Sequence, residues 1–100
     1  MKILALECEL PDAAPEDFQR HALEEARAAW GLQQSGLIRE MYFRADRQTA
    51  VLVLECASTA EAADILAELP FVREGLIGFD LIPLRAYPGF ARLFGETLSR

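Results

Sequence analysis

Three residues of this chain have the types and spacing for acid–base chemistry: Glu40, Tyr42 and Glu55. Two carboxyl groups close together in partly apolar surroundings cannot both ionise cheaply. One pKa therefore rises towards neutrality, where a carboxylate serves as a general base. The phenol beside them, or the protonated acid itself, offers a hydrogen-bond donor. The trio comes together only if two neighbouring segments are paired strands. The segments "GLIREMYFR" (36–44) and "TAVLVLEC" (49–56) flank the four-residue turn "ADRQ". That turn sets Arg44 against Thr49, Tyr42 against Val51, Glu40 against Val53 and Ile38 against Glu55. Alternation then puts Glu40, Tyr42 and Glu55 on one face, with the two carboxyls diagonal neighbours about 6–8 Å apart. Asp80, in "LIGFDLIPLRAY" (76–87), joins the same face.

The elements that must position these groups are legible in order. Residues 2–10 read as a strand, and "PEDFQRHALEEARAAW" (15–30) reads as a helix opened by Pro15 and closed by Gly31. Phe18, Ala22, Ala26 and Trp30 fall on one stripe of that helix, with Trp30 expected in the core. Ser58 and Glu61 form a capping box for a second helix that buries Ala62, Ile65, Leu66 and Leu69 and stops at Pro70. Pro83 confines the last strand to an edge or a bulge. Residues 89–98 read as a short amphipathic helix carrying Phe90, Leu93 and Phe94.

This order is β-α-β-β-α-β, a single ferredoxin-like α+β domain spanning 1–100. Right-handed crossovers give the antiparallel sheet order 4-1-3-2, with both helices on one face. The near-repeat "LALECEL" (4–10) and "LVLECAS" (52–58) reads as the internal symmetry of this unit. Both leucine sets are then expected beneath the helices, with Leu4, Leu6 and Cys8 matching Leu52, Leu54 and Cys56. Glu7 and Glu9 fall on the helix-free face or at the mouth of a cavity, roughly 13 Å from Glu55 in the case of Glu7. That face mixes valine, isoleucine and alanine with carboxylates, so a second copy of the chain is expected to cover it.

A net charge of −6 without a basic cluster argues against nucleic acid and anionic membranes as partners. No segment has the length and apolarity of a membrane span, and a cytoplasmic protein is expected. Cys8 and Cys56 show neither metal-ligand nor redox spacing, so they read as free core thiols, and no metal or cofactor is expected.

The run "VLEC-S-EA…L-LP", followed by "FDL" and then "YP" eight residues after its aspartate, resembles muconolactone isomerase and its relatives over roughly 36–90. The resemblance implies a dimeric α+β barrel and cofactor-free proton transfer next to a carbonyl. It places family acids at Glu55 and Asp80 and a family arginine at Arg39, with Tyr87 standing where the family has a histidine. Tyr87 is then a residue of the cavity or of the subunit contact. Glu40, Tyr42 and Glu55 are the catalytic candidates, and Arg39, Asp80, Tyr87 and Glu7 the substrate-binding ones. A non-catalytic binding or structural module and a cofactor-independent monooxygenase are the alternatives.

Overall fold

The computed structural model describes residues 1–97. Its strands are β1 (Lys2–Glu9), β2 (Ile38–Phe43), β3 (Ala50–Glu55) and β4 (Ile77–Pro83). The helices are α1 (Pro15–Gln34), α2 (Thr59–Leu66) and a single turn, α3 (Pro70–Arg73). The sheet order is β2-β3-β1-β4, every pairing is antiparallel, and β4 ends at Pro83 on the sheet edge. The ferredoxin-like α+β fold is therefore the one expected.

The helix boundaries differ in two places. α1 continues through Gly31 to Gln34, and the glycine in the left-handed region is Gly36, at φ 88°. A glycine inside a helix costs about 1 kcal/mol, too little to stop a helix whose next turn packs Leu32 against the core. Pro70 does not close α2; it opens α3, where its missing N–H is not needed. Ser58 caps α2 by accepting from the Glu61 N–H at 3.1 Å, while Glu61 reaches back to the Ala57 N–H at 2.8 Å. Residues Pro88–Phe94 form a 3-10 helix, and the expected end of that segment, Leu98, lies outside the described residues.

The register of β2 against β3 is as expected from Phe43 to Glu40, with Tyr42 opposite Val51 and Glu40 opposite Val53. At Arg39 an extra residue breaks the ladder, and Ile38 pairs with Leu54 rather than Glu55. This bulge turns Ile38 beneath the helices, where only 1% of it is exposed.

The larger correction concerns β1. Ile3 pairs with Leu54 and Ala5 with Leu52, and cross-strand partners share a face. Ile3 and Ala5 are therefore in the core with Leu52, Leu54, Ala62 and Leu66. Leu4, Leu6 and Cys8 point to the helix-free face, and Cys8 is an exposed thiol rather than a buried one. The letters repeat between the two halves, but the pleat is offset by one: Leu54 faces in and Leu6 faces out. Trp30 is also outside the core, 58% exposed.

Candidate active site between the first helix and the sheet

Offsetting the pleat of β1 carries Glu7 and Glu9 to the helix side, and this creates the site. α1 does not seal against the upper part of the sheet. Between them lies a cavity of about 760 Å³. Its helix wall is the stripe Phe18, Ala22, Glu25, Ala26 and Ala29. The small residues leave room where bulkier ones would close the gap. Its sheet floor includes Glu7, Phe43, Ala50, Leu52 and Phe79, and Phe71 closes one end. Phe71 meets Phe18 edge to face, with ring centroids 5.1 Å apart and planes at 77°.

Two carboxyl groups enter this largely apolar space. Glu7 Oε1 accepts the backbone N–H of Ala50 at 2.9 Å, and Glu25 Oε1 accepts that of Phe71 at 3.0 Å. These bonds fix both side chains through one oxygen each and leave the second oxygen to face a ligand. Burial raises the Glu7 pKa above its ordinary value, against the lowering pull of the Ala50 N–H and with a further push from the charge on Glu9. Burial likewise raises Glu25, opposed by the Phe71 N–H and reinforced by the charge of Glu7. The charge of Glu7 thus reaches Glu25 across the cavity. This is the arrangement acid–base chemistry needs: two fixed carboxyls, both displaced towards neutral pH, in a space that holds a small molecule.

The catalytic candidates read from the sequence lie on the opposite face. Tyr42 Oη donates to Glu40 Oε1 at 2.7 Å, which brings these two together, and the bond and charge of Glu40 hold the tyrosine proton on more tightly than usual. Glu55 is on the same face but is engaged elsewhere: the Met1 ammonium donates to its Oε2 at 2.6 Å and, with help from Arg39 and Lys2, lowers its pKa. Arg39, at the bulge, donates from Nε to the Gly36 carbonyl at 2.6 Å. Asp80 pairs across from Leu6 on the helix-free face. Tyr87 stands beyond β4, edge to face with Phe90 at 5.0 Å between ring centroids. Among the seven candidates only Glu7 enters the chamber. Glu25 was hidden in the charged run "LEEAR", although Phe18, Ala22, Glu25 and Ala29 follow helical spacing and would have marked it as facing the sheet.

The architecture defines the class: a ferredoxin-like α+β domain with a chamber between its long helix and its sheet. Among solved structures it is similar to muconolactone isomerase, with a TM-score of 0.72 and 22% identity over 88% of this chain and 92% of that one. It is also similar to 5-chloro-2-hydroxyhydroquinone dehydrochlorinase (TftG) from Burkholderia phenoliruptrix AC1100, solved in complex with 2,5-dihydroxybenzoquinone. There the TM-score is 0.61, with 16% identity over 89% of this chain and 98% of that one. At such identities the likeness establishes the shared fold, as the sequence resemblance implied. No protein-family model and no curated protein matches the sequence.

Proposed function

We propose that this chain is a cofactor-independent, isomerase-like enzyme that shifts a proton within a small lactone or enol/keto compound, and that it works in the chamber beneath α1. Glu7 in its carboxylate form takes the proton from the carbon next to the carbonyl, and the C–H electron pair passes into the enolate. Glu25 in its acid form hydrogen-bonds the enolate oxygen, and the proton on Glu7 returns to the conjugated carbon. Charge and protons balance without a further reactant. The observation that carries this reading is the pair Glu7 and Glu25, both raised by burial and both anchored by a backbone N–H inside an aromatic-walled cavity. Likeness of fold to muconolactone isomerase supports the same class of chemistry.

The test is solvent deuterium exchange into a panel of small lactones and cyclic ketones. Glu7→Gln should lower the exchange rate by about 10²-fold or more, the usual worth of a general base. Unchanged exchange in that variant would refute the assignment.

A second reading keeps the chemistry on the helix-free face. The Tyr42–Glu40 hydrogen bond at 2.7 Å favours it, because a phenol already donates to a carboxylate there. Glu40, Glu55 and Tyr42 would act, with Arg39, Asp80 and Tyr87 around the substrate, once a second copy of the chain covers that face and excludes water. Exchange lost in Tyr42→Phe and Glu55→Gln but kept in Glu7→Gln selects this site. Under either reading the working unit is a homodimer. Two separate free thiols, Cys8 and Cys56, fit a reducing cytoplasm.

A further inference from the structure

The walls of the chamber also say what kind of molecule can enter. Its charged lining consists of carboxyl groups: Glu7, Glu9 and Glu25. Among the described residues that line it there is no lysine, arginine or histidine. The nearest cations stand outside the lining, although the charge of Arg73 reaches Glu25. Arg73 spends its guanidinium on Glu24 at 2.8 Å and on Glu74 at 3.1 Å. Arg47 lines a smaller adjoining cleft that shares Glu7, Glu9 and Gln48 with the chamber but is not itself part of the chamber lining. The remaining surface is apolar, with Phe18, Phe43, Phe71 and Phe79 offering flat faces and edges. A carboxylate brought into such a space gives up part of its water, finds no cation in the lining and meets the like charges of Glu7 and Glu9. An uncharged ring meets none of these penalties, stacks on the phenylalanines and can hydrogen-bond to the acids through hydroxyl or carbonyl oxygens. The net charge of −6 acts in the same direction at long range by slowing the approach of anions.

We propose that the chamber binds an uncharged ring compound bearing hydroxyl or carbonyl oxygens, such as a phenol or a simple lactone, and rejects the same ring when it carries a carboxylate. This rests on the chamber being the binding site proposed above, and it narrows the substrate of that site to neutral molecules. Selection comes from the acids and the absence of a cation in the lining, not from size.

The experiment titrates the intact protein, near neutral pH, with three ligands: 2-naphthol, 3-hydroxy-2-naphthoate and the methyl ester of the latter. The ester and the acid differ by one methyl group and one charge, so bulk is controlled. Binding is read by ligand fluorescence and by protein amide chemical shifts. The ester should bind at least about tenfold more tightly than the acid, with 2-naphthol also bound. The ratio should shrink in Glu7→Gln/Glu25→Gln, and in Glu9→Gln should the double variant not fold. Ala26→Trp, which fills the chamber from an exposed helix position, should abolish binding of all three. An acid that binds as tightly as its ester overturns the proposal, as does a ratio that the glutamine variants leave unchanged. Failure of all three ligands to bind overturns this inference, while deuterium exchange lost in Glu7→Gln would still keep the proposed chemistry in the chamber. Charge-selective binding with no deuterium exchange in any substrate leaves this inference standing and sinks only the isomerase chemistry.

Discussion

Glu7 and Glu25 give this protein a pH dependence whose sign can be worked out. Both have folded pKa values raised above the ordinary 4.5 by burial. A raised carboxyl contributes its stability in full below the ordinary value and loses it as pH climbs through the raised one, because ionising the buried group then costs more than ionising it in the unfolded chain. Glu55 and Asp46 are lowered by the Met1 ammonium and by Arg44 respectively, so their contribution is lost only as pH falls below the ordinary carboxylate range. The two windows do not overlap. Between the ordinary carboxylate pKa and neutrality, the urea midpoint of the wild type should decline with pH, and the decline should flatten in Glu25→Gln. A slope identical in both proteins would show that Glu25 is not displaced. Activity should run the other way at Glu7, rising as pH passes through its raised pKa, because the reaction needs the carboxylate form.

At the level of elements, the core is the layer where α2 and the lower part of α1 meet β1 and β3. Leu54 is fully buried there, and Leu54→Ala should cost about 2–5 kcal/mol in chemical denaturation. Ser58→Ala removes the side-chain acceptor of the Glu61 N–H and should cost about 1 kcal/mol. The bulge in β2 allows a sharper test. With Arg39 as the extra residue, Ile38 and Met41 face the helices while Glu40 and Tyr42 face away. Deleting Arg39 leaves those assignments intact along a regular strand and should cost no more than about 2 kcal/mol. Deleting Met41 instead would invert Glu40 and everything before it, drive a carboxylate beneath the helices and abolish cooperative folding. Thermal melts of the two deletions check this directly.

As a whole molecule the chain is too open for its mass. Its radius of gyration is 16.5 Å, where a compact 100-residue domain has about 13 Å. It exposes 7005 Å², where a monomer of this mass exposes roughly 5,700 Å². The excess is larger than one partner's share of a standard protein interface. It includes two apolar regions: the helix-free face with Leu4, Leu6, Val51 and Val53, and the C-terminal segment, where Phe90, Leu93 and Phe94 are 66%, 77% and 85% exposed. Burying both against a second copy is the simplest resolution. Sedimentation should therefore find a dimer or a larger assembly, and Leu6→Lys/Val53→Lys, on the helix-free face, should convert it to a folded monomer. A wild-type monomer at micromolar concentration would contradict the assembly.

Local chemistry wrote much of this into the chain. The turn "ADRQ" set the pairing of β2 and β3 from Phe43 to Glu40, Pro83 marked an edge strand, Ser58 marked a helix start, and the order of elements left one sheet topology. Apart from the topology, these are short-range constraints, each satisfied within a few residues of its cause. The face of β1 was not among them. Ile3 and Ala5 are as apolar as Leu4 and Leu6, so alternation fits either orientation, and only pairing with Leu52 and Leu54 across the sheet breaks the tie. That one long-range choice moved Glu7 from the open face into the space beneath α1. There the small residues of the helix left room for it beside Glu25, a meeting of groups distant in sequence that no local pattern contains.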